Sequence, residues 1–550
     1  MREWRLVLAA ALLGSAGGAL AAPQFDPQRL SNHVRILGSD AYEGRGVATR
    51  AEAKTVDYLV GQFRAAGLQP GGDIVRGKRL WTQAVPLLRS EFTADPQVTV
   101  RLPDGRLLPL VQREQIAVRS PMDGSKSLAI SSASLLFVGY GVTAPERGWD
   151  DFKDVDVRGK ILVLLINDPD FEGGEGQFGG KAMTYYGRWT YKYEEAARRG
   201  AAGVMIVHET APASYGWATV KNSNTNTMFD IVRDHPAASH TPFESWIQRD
   251  LAERLFADNG SSLAAMKAAA QRKDFRPVPL KATLTAALTA TTATVTSHNV
   301  VGILPGKGHA DETILYSAHW DHLGIGKPDA NGDNIYNGAL DNGSGLAMLI
   351  AQARAFAREP RSDRSIVFMA VTAEEKGLLG SEYYGQHPLY PLGKTVAMLN
   401  TDVMGVYGPA RDYSVRGLAN FDLVDELKGV ATSMGRTFTP ERHPETGSFY
   451  RSDHFSLAKV GVPAITFTPG LDLVNGGLAK GEAMAADYTA KRYHQPDDEY
   501  SSAWDLSGMV ADAGLLHELG RRLATTRSWP NWAPDSEFRA ARDRTAPDRN

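Results

Sequence analysis

Residues Ser365–Tyr384 read SIVFMAVTAEEKGLLGSEYY. The first nine, Ser365–Ala373, are too apolar and β-branched to be anything but a buried strand. That strand runs straight into two adjacent glutamates, Glu374 and Glu375. Two carboxylates side by side at the end of a buried strand repel one another and lose hydration, so something cationic has to meet them. The rest of the chain shows what that is.

From residue 297 onward the same texture recurs. SHNVVGILPG, ETILYSAHWD, TVAMLNTDVMG and VPAITFTPG are strand-like, and they alternate with helical stretches such as GSGLAMLIAQARAFAREP. In that last stretch Leu346, Leu349, Ile350, Ala353 and Ala357 form one apolar stripe, and Pro360 follows its end. Nearly continuous apolar strands alternating with helices indicate an α/β, largely parallel sheet covered on both faces, a three-layer α/β/α arrangement.

In such a sheet ligands bind beyond the carboxyl ends of the strands. The residues expected there are of one chemical kind: His319 and Asp321, Glu374 and Glu375, Asp402, Asp341 just before a helix, and His494 from a later loop. Singly, each has a plain structural reading: Asp341 as a helix N-cap, His494 as a surface histidine, Asp402 in a turn, Glu375 as a helix-start charge. Together, two imidazoles and several carboxylates on one sheet edge make a site for divalent metal. The chain has no cysteine, which excludes disulfides, thiolate catalysis and cysteine-ligated zinc.

Upstream, residues 23–86 hold an amphipathic helix with Val56, Leu59, Val60, Phe63 and Leu68 on its apolar face, ended by Gly67. Residues 87–290 change texture to short strands (QVTVRL, SLLFVGYGV, KILVLLIN, GVMIVH) around one clear helix, YKYEEAARRGAAG, and read as an inserted β-rich module. Its glycine-rich loop DPDFEGGEGQFGG reads as an ordinary loop, because the calcium-loop spacing is missing. Its aromatic run YYGRWTYKY, Tyr185–Tyr193, reads as core before ligand platform. Residues 291–527 complete the sheet domain, and 528–550 read as a polar, disordered tail.

The first residues, MREWRLVLAAALLGSAGGALAAPQ, have a basic start, a short apolar core and a small-residue cleavage site. Residues 1–22 are therefore expected to be a secretory signal peptide, leaving an exported chain, periplasmic or extracellular, with no membrane span. At 550 residues the chain exceeds one ordinary domain, and its net charge of −3 gives no electrostatic case for nucleic acid or an anionic membrane.

SAHWDHLG, ALDNGSG, TAEEKGLLGS, LNTDVMG, SFYRSDHFSLAKVGVPAI and YHQPDDEY occur in the order and rough spacing of family twenty-eight of the metallopeptidases. The chain resembles these co-catalytic zinc aminopeptidases, relatives of leucyl aminopeptidase, glutamate carboxypeptidase II, glutaminyl cyclase and the catalytically dead transferrin receptor. The resemblance covers 297–525 strongly and 25–85 more loosely. DVRGKILVLL followed by EEAARRGAAGVMIV resembles the protease-associated (PA) domain inserted in many members.

The resemblance implies a zinc-exopeptidase fold of the phosphorylase/hydrolase-like type and two divalent ions, with zinc favoured by the ligand set. It implies one ion on His319 and Asp402, a second on Glu375 and His494, and Asp341 bridging both. Asp321 is then expected to orient His319, and Asp498 to do likewise for His494. Glu374 is implied as the general base of a metal-assisted hydrolysis of peptides.

Tyr493 matches an oxyanion donor in some relatives, and reads equally as a loop aromatic. Ser452 or Asp453 can cap the helix beginning at His454, while Tyr450 and Arg451 on the same loop are expected to face substrate. An aminopeptidase is the leading reading. A carboxypeptidase or dipeptidase on the same site, and a non-catalytic binding protein on this scaffold, are the alternatives. Oligomeric state stays open.

Overall fold

The computed structural model describes residues 25–549 except Glu175 and Leu418, so the expected signal peptide, residues 1–22, lies outside the described residues. Among them no helix is long and apolar enough to cross a membrane.

The sheet that carries the acidic strand ends is built from β1 (Val278–Leu304), β2 (His309–His319), β3 (Arg364–Val371), β4 (Thr395–Thr401), β5 (Asp412–Val415) and β6 (Ala464–Pro469). Across the sheet their order is β1, β3, β2, β4, β6, β5. The four central strands β3, β2, β4 and β6 are parallel, so their carboxyl ends share one edge; β1 and β5 flank them antiparallel. All eight residues of β3 are buried, as expected of a strand covered on both sides.

One face packs against α1 (Pro27–Leu37), α2 (Arg50–Ala66), α3 (Gly345–Arg358), α5 (Asp422–Ser433) and α7 (Ser507–Thr525). The other packs against α4 (Leu379–Gln386) and α6 (His454–Lys459). Three layers result, as the alternating pattern requires. The α1 helix starts on Asp26, whose side chain accepts from the Gln28 amide, with proline at its first turn; α2 starts on Thr49 and ends where Gly67 turns to φ 93°. Leu346, Leu349, Ile350 and Ala353 of α3 are fully buried, each large aliphatic side chain contributing about 1.5–3 kcal/mol.

The inserted module has its own core, running from Val98 to Leu288, around a parallel sheet of Ser127–Phe137, Ile161–Leu165, Gly203–His208 and Phe243–Gln248. Strand β1 belongs to both units and runs through position 290. Its burial alternates over 280–290, where one face is wet, and becomes continuous over 299–304, where helices cover both sides. Met228–Ile231 also leaves the module to pair with Thr82–Phe92 beside β1.

The expected disorder of the polar tail is corrected by its packing. Trp532 is 1% exposed, stacks on Phe421 and donates to the Gly461 carbonyl at 3.2 Å; Arg542 is buried and donates to the Thr395 carbonyl. Charged residues dominate the tail's composition, and that hid its few anchors.

Candidate metal centre and active site

Three strand ends of the central sheet deliver polar groups to the same point. His319 closes β2, Glu374 and Glu375 follow β3, and Asp402 follows β4. Asp341 arrives from the loop before α3, and His494 from the loop after the helix Gly477–Lys491. His319 Nε2 lies 3.3 Å from Asp341 Oδ1, 3.4 Å from Asp402 Oδ1 and 4.0 Å from Glu374 Oε2. His494 Nε2 lies 3.3 Å from Asp341 Oδ2 and 3.0 Å from Glu375 Oε2. Asp341 thus gives one oxygen to each imidazole.

The imidazole orientations say which atoms face the centre. His319 Nδ1 lies 3.1 Å from the Asp321 carbonyl, so that nitrogen carries the proton and Nε2 turns its lone pair to the carboxylates. Lone pairs facing lone pairs in a buried site call for a cation. The groups His319–Asp341–Glu375 and His319–Glu374–Asp402 each gather ligand atoms within 4.8 Å of one another. Imidazole and carboxylate donors in this number suit divalent zinc, and the residues present fit two such ions.

The electrostatics carry the same imbalance. Burial, then the charges of Asp402, Glu375 and Asp453, push Glu374 well above the usual carboxylate range, with His319 opposing. Burial disfavours charge on both imidazoles, yet Glu374, Asp341 and Asp402 raise His319 far above its ordinary range, and Glu375 with Asp341 raises His494 to about 10. Asp402 moves the other way: burial opposes, but Arg416 lowers it.

The expected supporting roles are redistributed. The Asp321 carboxylate accepts from the Glu374 amide at 3.0 Å and the Glu375 amide at 3.3 Å, so it shapes the glutamate turn; its main-chain carbonyl, not its carboxylate, makes the close contact with His319. Asp498 does not meet His494. It accepts from the amides of Leu340 and Asp341, both at 3.0 Å, and from the Tyr488 hydroxyl at 3.1 Å, so it holds the Asp341 loop. His494 Nδ1 is met instead by Ser223 Oγ of the inserted module, at 2.8 Å.

Asn222 of the same module donates to the His494 carbonyl at 3.1 Å. That contact helps hold His494 at φ 56°, a left-handed backbone that costs a side-chain-bearing residue about 1–3 kcal/mol.

On the loop before α6, Ser452 donates to Asp402 Oδ2 at 2.8 Å, and neither Ser452 nor Asp453 makes a side-chain cap to the helix. Asp453 is buried, with both carboxylate oxygens lacking a hydrogen-bond partner, and burial pushes it to about 7. His454 contacts Thr466 Oγ1 at 2.7 Å, away from the ligand set. The Tyr493 ring lies against His494, tilted by 32° with ring centroids 3.9 Å apart.

Sequence reasoning missed four residues. Arg416 pairs with Asp402 at 2.8 Å. His322 Nδ1 lies 2.6 Å from Glu375 Oε1. Buried Arg45 donates to the carbonyls of Asn337 and Gly338, and so clamps the Asp341 loop. Ser223 is the fourth. Arg416 directly follows the short mixed strand DYSV, which gives it no apolar-run signal; Arg45 had its glycine-flanked setting, EGRG.

A cavity of about 480 Å³ opens over this centre, lined by Glu374, Tyr450, Arg451 and Tyr493 of the catalytic unit and by Tyr185 and Trp189 of the inserted module. The aromatic run therefore divides: Tyr191 and Tyr193 are core, whereas Tyr185 and Trp189 line the cavity.

Residues 299–516 match peptidase family M28. Among curated relatives, aminopeptidase YwaD of Bacillus subtilis is 37% identical over 112 residues, covering 20% of this chain and 22% of its own. A probable zinc metalloprotease of Pyrenophora tritici-repentis is 36% identical over 211 residues, covering 37% of this chain and 47% of its own. The chain thus spans less than half the length of these curated relatives. An aminopeptidase from Aneurinibacillus sp. strain AM-1 shares the fold, with a TM-score of 0.55 over 93% of this chain and 97% of its own at 19% identity.

Proposed function

With residues 299–516 matching peptidase family M28, we propose that this protein is an exported di-zinc aminopeptidase that removes N-terminal residues from peptides. One observation supports the reading: His319 and His494 both reach Asp341, with the proton-prone carboxylate of Glu374 4.0 Å from His319. His319 and Asp402 would hold one ion, Glu375 and His494 the other, and Asp341 both. When bound, the ions supply Lewis acidity toward the scissile carbonyl and toward water.

The chain's own residues do the rest. Glu374 takes the proton from the attacking water and returns it to the leaving amine, a role suited to a carboxylate raised above its usual range. Asp321 fixes the turn that aims Glu374; Arg416 and Ser452 fix Asp402. Tyr493, whose ring lies against His494, would donate to the developing oxyanion. The inserted module, read as a PA-like domain, narrows access and excludes water. Export follows from residues 1–22 as a signal peptide.

Purified protein should contain two equivalents of zinc and cleave leucyl p-nitroanilide and free-amine peptides, but not their N-acetylated forms. Cleavage of the acetylated peptides at an equal rate would replace the aminopeptidase reading with the carboxypeptidase or dipeptidase one.

A further inference from the structure

Buried cations elsewhere in this chain have partners. Arg364 pairs with Glu312 at 2.7 Å, Arg416 with Asp402 at 2.8 Å, and Arg119 faces Glu244 at 3.5 Å. Arg45 and Arg542 spend their donors on main-chain carbonyls. Arg188 is the exception. It is 8% exposed, its Nε is buried without a hydrogen-bond partner, and among the described residues no carboxylate pairs with it.

The groups that act most strongly on it are Arg451, Tyr215, Tyr493 and Tyr185, a second cation and three phenols. Among the described residues Arg451 forms no ion pair either. It donates to the Ala213 carbonyl at 3.0 Å and to Ser214 Oγ at 2.7 Å, and its Nε is likewise buried and unsatisfied.

Both arginines line the cavity that contains Glu374 and the ligand set. A guanidinium kept out of water with no counter-charge is costly, and leaving its donors unmet adds to that cost. Two of them on one wall of a cavity whose floor hydrolyses peptides mark the place of an anion. Guanidinium forks recognise carboxylates, in bidentate geometry where both oxygens are reached.

We propose that Arg188 and Arg451 form an anion subsite that takes a carboxylate of the substrate, so that the preferred substrates are short peptides carrying that charge beyond the scissile bond. The carboxylate is either the free C-terminus of a di- or tripeptide or an acidic side chain. This rests on the peptidase reading above and narrows its substrate class.

Two substrate pairs separate the sources. Wild-type protein is assayed on Leu-Gly against Leu-Gly-amide, and on Leu-Glu-amide against Leu-Gln-amide, with leucyl p-nitroanilide as the neutral reference. At least one pair should favour the charged member. In Arg188→Met that preference should fall by about 30-fold or more, the loss expected when one partner of a buried charge pair is truncated. Arg188→Met should also melt higher than wild type, because it removes an unpartnered buried charge; a residue kept for packing would melt lower.

Binding gives a readout free of turnover. With metal chelated, isothermal titration should register N-acetylglycine and not N-acetylglycinamide, and Arg188→Met should abolish the difference. Preferences within twofold in both pairs, or no binding difference between the acid and the amide, overturn the subsite. If leucyl p-nitroanilide and all four peptides are left uncut, it is the peptidase reading that fails, and the titration alone decides the subsite.

Discussion

The two walls of the active-site cavity carry opposite charge imbalances. On the sheet edge, Asp341, Glu374, Glu375 and Asp402 outnumber the cations beside them, with Arg416 the one guanidinium paired into the ligand set. On the wall toward the inserted module, Arg188 and Arg451 form no ion pair among the described residues, and the Nε of each is buried without a partner. The chain's overall charge of −3 conceals both. In the open each imbalance would be answered by water and counter-ions; buried, each implies a missing partner, cations for one wall and an anion for the other.

Glu374 and Glu375 give the sharpest way to split the acidic wall. Glu374→Gln should retain both ions and lower kcat by about 100- to 10,000-fold, the span of general-base effects. Glu375→Gln should lose metal first, seen as fewer than two zinc equivalents after dialysis. Equal metal loss in both variants would break the assignment.

Arg416→Met tests the wall from its cationic side. It strips the buried Asp402 of its guanidinium partner, a loss of about 3–5 kcal/mol of stability by urea unfolding. Added zinc should restore part of this, since the ion shares the Asp402 charge. No zinc dependence would place Asp402 outside the ligand set.

A smaller effect is expected where the walls meet. Ser223→Ala removes the hydroxyl beside His494 Nδ1 and should weaken one of the two zinc sites by about tenfold in a chelator competition, leaving the other unchanged. Equal weakening of both sites would mean that Ser223 acts on the cavity's shape instead.

The least effect concerns the seam behind the cavity. His240 bridges Asp230 at 3.0 Å and Glu244 at 2.9 Å. Burial opposes its charge, but Glu244 and Asp230 raise it from 6.5 to about 9. A raised imidazole contributes its full stability below about pH 6.5 and loses it as pH climbs through about 9. Melting temperature should therefore fall between pH 7.5 and 10, and His240→Gln should flatten that part of the curve.

The sheet and its acidic edge were legible because strand ends leave a local mark, a run of apolar residues stopping on a charge. Glu374, Glu375, His319 and Asp402 all carry it. The supporting roles were not legible, because they depend on which main-chain group lies nearest. Asp321 and Asp498 are expected from the sequence to orient His319 and His494, yet the carboxylate of each holds amides instead. Ser223 left no mark at all: it meets His494 across 271 positions, through a helix whose sequence has no chemical signature. Arg188 sat in plain view within an aromatic run, but its lack of a partner is a property of three-dimensional neighbours.

The shared strand β1 also sets an order of assembly. Every residue of the module's own core precedes position 290, so the module can fold while the catalytic sheet is still unmade. Its last strand then continues to Leu304 and presents Val300–Leu304 as an edge already aligned by Thr82–Phe92 and Gln69–Pro70. Strand β3 is the element that pairs there, about 70 residues further on by the register Val300 to Ala370. A long and entropically slow loop closure would thereby begin from a prepared template, with the module acting as a folding scaffold for the catalytic unit.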